Sequence, residues 1–185
     1  MFYSIKIHLK YRTFVLIIIT EVIHLSYIYR PFPLEEKIMK MYKSMNIYKP
    51  EDIDIRKIAS YFRIHLKFSN NRSYSHQDGN FMIININKSL NKMEQREVFF
   101  HELCHLLRHC GNQYKNMPKA FRELQEWDAE HFTRYAAIPF HMLKYINWKS
   151  PLLIKELVKT FCINEKICKY RVEHLYRNRK KMNNH

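Results

Sequence analysis

The sequence predicts an α+β domain, mostly helical, with a small sheet placed just before one central helix. Three observations carry this. Apolar residues recur at helical spacing in several segments after residue 33, with capping and breaking residues between them. One β-rich run, Phe81 to Ile86 (FMIINI), follows the turn signals Asn70-Asn71-Arg72 and Asp78-Gly79. Directly after it, the helical segment Met93 to His109 contains His101-Glu102-Leu103-Cys104-His105, an H-E-x-x-H pattern.

Composition narrows the field. A chain of 185 residues with 46% hydrophobic and 15% aromatic content can bury a core and is not disordered. Its two glycines, Gly79 and Gly111, leave no room for a P-loop or a G-x-G-x-x-G fingerprint. The formal charge of +15 raises the question of nucleic acid. The basic residues are spread out, however, with a cluster only at Arg177-Asn178-Arg179-Lys180-Lys181, so a solvated basic surface is favoured and nucleic acid stays possible. Cys104, Cys110, Cys162 and Cys168 form no C-x-x-C pair, which fits free thiols in a cytoplasmic protein.

Taken in order, residues 1–33 read as an N-terminal extension of unknown role. Phe14 to Thr20 (FVLIIIT) follows Lys6, Lys10 and Arg12 like the start of a signal peptide, but Glu21 and His24 interrupt it. The run falls short of the ~20 apolar residues of a membrane span, so no stable membrane insertion is expected. Pro31 and Pro33 punctuate the chain before a helix over Leu34–Met45, with Glu35 and Glu36 in its dipole-complementing first turn. Pro50-Glu51-Asp52 opens a second helix through Ile53, Ile55, Ile58, Ala59 and Phe62. His65 to Ser69 alternates as a strand, and with Phe81 to Ile86 makes the small sheet. Asn91 caps the central helix and Glu94 completes a capping box. Val98, Phe99, Leu103, Leu106 and Leu107 are its core candidates. Residues 111–120 read as a loop, and Phe121 to Ala137 as a helix ending before Pro139. The domain proper is assigned to 34–150. Residues 151–185 hold two short helices, Leu152–Thr160 and Asn164–Leu175, read as packing on the core rather than as a helix-turn-helix DNA reader.

The chemistry sits in the central helix. Residues four apart lie about 40° apart round a helix and ~6 Å along it, so His101 and His105 can grip one metal ion. Glu102 then stands beside the metal, placed to take a proton from its water. Composition alone yields such a motif in roughly one comparable chain in twenty, so its setting must support it. A zinc site with two histidines needs a third protein ligand. Glu123, Glu126 and Asp128 are the candidates on the next helix. Glu126 is taken, a choice that leans on the resemblance described next, with Glu130 a turn later to orient a histidine ligand. The three-histidine variant H-E-x-x-H-x-x-G-x-x-H is excluded, because Arg108 and Gly111 occupy its glycine and last histidine. His109, His131 and Tyr135 are unranked candidates for stabilising an oxyanion.

These residues resemble the ImmA/IrrE family of zinc-dependent peptidases, over about Leu34 to Leu175. Phe100-HELCHLLRH-Cys110 is similar to the family's HELGHxxxH block. Glu126-Trp127-Asp128-Ala129-Glu130-His131-Phe132, followed by Ala136-Ala137-Ile138-Pro139, is similar to its E-x-E-A-N-x-F-A…P block. Within the family the chain looks closest to the ImmA type. The resemblance implies a small gluzincin-like fold, Zn²⁺ held by His101, His105 and Glu126, and Glu102 as the base. It also implies a helix-turn-helix repressor of a phage-like or mobile element as the substrate, whose cleavage derepresses genes. Cys104 stands at the family's usual glycine, Asp128 at its second glutamate and Glu130 at its asparagine. The competing expectations are a metal-bound regulator that sequesters a repressor or contacts DNA without hydrolysis, and a toxin–antitoxin component.

Overall fold

A computed structural model describes residues 30–109 and 117–182 of the chain, and the side chains among them up to Asn178. The expectations for the apolar run Phe14–Thr20, for Cys110 and Gly111, and for the basic side chains from Arg179 on lie outside the described residues. Among the described residues no helix is long and apolar enough to cross a membrane.

The elements run α1 (Pro33–Ser44), a 3₁₀ turn (Pro50–Asp52), α2 (Ile55–Tyr61), β1 (Ile64–Ser69), β2 (Tyr74–Asp78), β3 (Phe81–Asn87), α3 (Lys92–Arg108) and α4 (Lys119–Ala137). A second 3₁₀ turn (Phe140–Tyr145), α5 (Leu153–Phe161) and α6 (Glu165–Met182) follow. Phe32–Val172 forms one compact unit, and residues from Glu173 on belong to another. The α+β expectation holds: a mostly helical chain with a three-stranded sheet ahead of the H-E-x-x-H helix.

The second predicted helix is divided. Asp52 closes the 3₁₀ turn by accepting from the backbone N–H groups of Tyr48 (3.0 Å) and Lys49 (2.9 Å). Asp54 starts α2 afresh by accepting from Arg56 N at 2.7 Å. Two aspartates two residues apart each cap their own turn, which leaves Ile53 extended and buried between them.

The sheet has the order β1-β3-β2, with β1 parallel and β2 antiparallel to β3. Asn70 to Ser73 therefore carry the chain across the place that β3 fills. Asn85 of β3 holds that connection: its side-chain N–H donates to Arg72 O (3.0 Å) and its oxygen accepts from Ser69 Oγ (2.8 Å). Ser73 Oγ accepts from Asn87 N at 2.9 Å. This makes Asn85 a buried polar residue with both functions satisfied, inside an otherwise apolar run. Strand β2 was not anticipated. The Asp78-Gly79 turn is part of a hairpin whose first strand is polar, and Gly79 takes φ +54°, which suits glycine.

Helix α3 packs on the sheet and against α4. Its start is the predicted capping box: Asn91 Oδ1 accepts from Met93 N and Glu94 N, and Glu94 Oε2 accepts from Asn91 N at 2.9 Å. Phe99, Phe100, Leu103 and Cys104 are fully buried, whereas Leu107 is exposed, contrary to expectation. Ala129, Ala136 and Ala137 on α4 are fully buried and allow close helix approach. The α5–α6 turn is tied to α3 at two points. Arg96 donates to Phe161 O and also to Ile53 O, and Asn164 donates to Glu97. Helix α6 runs past the predicted end at Leu175, since Tyr176 to Met182 contains no proline or glycine to stop it.

Glu35 does more than complement the α1 dipole. It is buried, accepts from Phe32 N (2.9 Å), and ion-pairs with the fully buried Arg171 of α6. Arg171 also donates to Ile138 O at 3.2 Å and lies over the Tyr135 ring at 4.9 Å. Glu35→Ala leaves an uncompensated buried guanidinium and should destabilise the domain by about 3–5 kcal/mol, read by urea unfolding. A loss below about 1 kcal/mol, typical of a surface pair, would contradict this burial.

Candidate metal centre

The cap at Asn91 fixes where α3 begins, and so fixes which face carries His101 and His105. That face meets α4, whose Glu126 completes a three-donor group. His101 Nε2 and His105 Nε2 lie 3.0 Å apart. Glu126 Oε2 is 3.2 Å from His101 Nε2, and Oε1 is 3.5 Å from His105 Nε2. A zinc ion with tetrahedral arms of ~2.0–2.1 Å needs donors about 3.3 Å apart. The three separations match that edge length, and the chemistry of two imidazoles and one carboxylate suits zinc. His105 is almost buried, but Glu126 is 53% exposed on its side chain, so the group opens to solvent on the α4 side.

Glu102 sits next to this group and accepts from Ser75 Oγ at 2.6 Å. Ser75 belongs to β2, so the unanticipated strand orients the expected base. A stronger weighting of Asp78-Gly79 as a hairpin turn, with strands on both sides, is the signal that could have found it. Removing the hydroxyl in Ser75→Ala should leave metal binding unchanged and lower turnover about tenfold, the effect of one hydrogen bond to a charged group. Equal loss of metal in that variant would contradict this division of roles.

Behind His105 lies a second layer. His105 Nδ1 meets His109 Nδ1 at 2.9 Å, and His109 Nε2 meets Asp128 Oδ2 at 3.1 Å. Arg108 grips Asp128 with two bonds, Nε–Oδ2 at 2.7 Å and Nη2–Oδ1 at 2.9 Å. Burial pushes the Asp128 carboxyl up, but Arg108 and His109 outweigh it and hold it below the usual carboxylate range. Burial and then the neighbouring His101 push His105 down to about 4 against the pull of Glu126, which keeps its imidazole neutral and able to ligate. Burial, with Asp128 adding to it, raises the Cys104 thiol, so this cysteine behaves as a packed apolar group.

The other candidates fall elsewhere. Glu130, expected to orient a histidine ligand, instead pairs with Arg134 at 2.8 Å, and Asp128 meets His109 behind His105. Four residues on from Glu126, Glu130 shares its solvent-facing stripe, whereas Asp128 is turned towards α3. Glu123 is exposed and pairs with Lys119 at 3.7 Å. His131 contacts Trp127 O (3.0 Å) and the Tyr170 hydroxyl (3.2 Å). Tyr135 is buried under Arg171, and His109 is engaged on both nitrogens.

The sequence model of the Peptidase_M78 family, described as the IrrE N-terminal-like domain, matches residues 59–173. The chain belongs to this family. The matched span runs from the end of α2 into α6 and contains the sheet, α3, α4 and the whole candidate centre. Two relatives of this Peptidase_M78 chain come from Bacillus subtilis (strain 168). Phage-like element PBSX protein XkdA is 38% identical over 124 residues, which is 65% of this chain and 62% of XkdA. The uncharacterized protein YqaB is 30% identical over 146 residues, 78% of this chain and 84% of YqaB. The match thus spans under two thirds of XkdA's length. No solved structure matches the chain. Family and structure together make the fold a small zincin-like α+β domain.

Proposed function

We propose that this chain is a zinc-dependent endopeptidase that cleaves a helix-turn-helix repressor of a phage-like or mobile element, and so derepresses its genes. The observation that carries the reading is the convergence of His101, His105 and Glu126 at zinc-like spacing, with Glu102 held beside them by Ser75. Membership of a peptidase family supports the reaction class, and the phage-element name of XkdA supports the setting.

His101, His105 and Glu126 would hold the zinc in this reading. Zinc, when bound, supplies an acidified water and a Lewis-acid contact for the scissile carbonyl. Glu102 accepts the proton of the attacking water and hands it to the leaving amine. The protein substrate is chosen by docking of a folded partner in the cytoplasm, and a basic chain suits an acidic patch on it. In this reading α5 and the part of α6 up to Val172 support the peptidase unit.

Incubation of the purified chain with helix-turn-helix repressors of phage-like elements tests the proposal. Cleavage should stop when a chelator strips the metal and return on adding zinc. Cleavage indifferent to the chelator would contradict a metallopeptidase.

A further inference from the structure

Away from the metal centre, an open cavity of about 510 Å³ lies between α2 and β1. It is lined by Arg56 and Ser60 of α2, Arg63 in the turn that follows, and Ile64, His65 and Leu66 of β1. Side chains alternate along a strand, so a cavity that meets three consecutive residues runs along the strand's edge and not over one face. Strand β3 occupies the other edge of β1, and no β3 residue lines the cavity. The cavity therefore lies on the sheet edge opposite β2, the strand that meets Glu102. An edge of this kind presents backbone N–H and C=O groups with no strand to pair them.

The fixed charges along this edge are of one sign. Arg56, Arg63 and Lys67 are exposed, and among the described residues no carboxylate pairs with either arginine. Arg56 lies over the Phe68 ring at 5.1 Å, and Asp54 is turned to the backbone as the α2 cap. Arg63 takes φ +56°, a left-handed conformation that glycine or asparagine fills at least cost. An arginine there strains its own backbone and gives the described fold no ion pair in return.

We propose that this edge is a docking site for an extended, acidic segment of a protein partner. The segment adds to β1 as a further strand and sets its carboxylates against Arg56 and Arg63. Backbone pairing fixes its place, and the arginines select its charge. A second copy of this chain would bring its own cations against them, and a nucleic acid has phosphates but no amide backbone to pair with a strand. The site shares no residue with the metal centre, so the inference stands apart from the peptidase reading.

A fluorescein-labelled octapeptide of alternating glutamate and valine, titrated by anisotropy into the full chain at low salt, tests this. Saturable binding is expected, with the backbone amide shifts of ¹⁵N-labelled protein concentrated in β1. Arg56→Gln and Arg63→Gly should each weaken it about tenfold, the effect of one hydrogen bond to a charged group. Glycine suits the backbone at position 63, so Arg63→Gly should keep or raise the melting temperature, and its loss of binding is not loss of fold. Lys159→Gln on α5 should change nothing. The same peptide with its valines replaced by proline, which has no N–H to donate, should bind far less tightly. Affinity should be equal with and without added zinc, so a failed metal site leaves this result standing. Unchanged affinity in Arg63→Gly, or equal binding of the proline peptide, would overturn the inference. So would a ten-residue oligothymidine that binds more tightly than the peptide and weakens in the same variants. A dimer in sedimentation that Arg63→Gly dissociates would also overturn it, in favour of a second copy.

Discussion

Glu102→Gln is expected to lower repressor cleavage by about 10²–10⁴-fold, the range that a positioned general base supplies. The substitution keeps the shape of the side chain and an oxygen that can still accept from Ser75 Oγ, 2.6 Å away in the native chain. What it removes is the capacity to take a proton. Because Glu102 is not among the three converging donors, zinc content should match the wild type. Cleavage rate and metal content, measured on the same preparations, check both halves. Should derepression persist in the zinc-loaded variant, the chain acts by sequestering its partner and not by cutting it.

The second large effect is on the metal itself. Glu126→Ala leaves two imidazoles 3.0 Å apart with no third donor, and zinc affinity should fall by more than the ~10²-fold typical of removing an orienting partner. The acidic neighbours supply the control. Glu123 pairs with Lys119 and Glu130 with Arg134, both on α4's solvent side. Glu123→Ala and Glu130→Ala should therefore leave zinc affinity unchanged in competition titrations. A ligand role for either would show as a loss matching that of Glu126→Ala, and would mean that α4 is rotated from the orientation described.

Much of this arrangement is legible in the sequence because it is local. The Asn91–Glu94 capping box and the four-residue spacing of His101 and His105 are properties of a single helix, and each needs only its period to be read. What escapes depends on packing between elements. Strand β2 is an edge strand of Tyr74-Ser75-His76-Gln77-Asp78, with no buried side chain to create an apolar alternation. The division at Ile53 escapes because Asp52 and Asp54 are both competent caps, and a period cannot say that both are used. Leu107 has the helical spacing of a core residue but lies on the exposed last turn of α3. Behind the ligands, stripe logic selected Glu130 because it shares a face with Glu126. Asp128, about 200° round the helix from Glu126, is the residue that meets His109. Glu35 shows the same limit from the other end: a first-turn glutamate is read as complementing the helix dipole, and only its buried partner Arg171 reveals its further role.

The most direct test of the central claim is the mass of the repressor after incubation with the zinc-loaded chain. Hydrolysis at one peptide bond predicts two fragments whose masses add up to the intact repressor plus one water, and neither fragment appears with Glu102→Gln. An intact repressor mass alongside fully zinc-loaded wild-type protein, under conditions where the two bind, would contradict it.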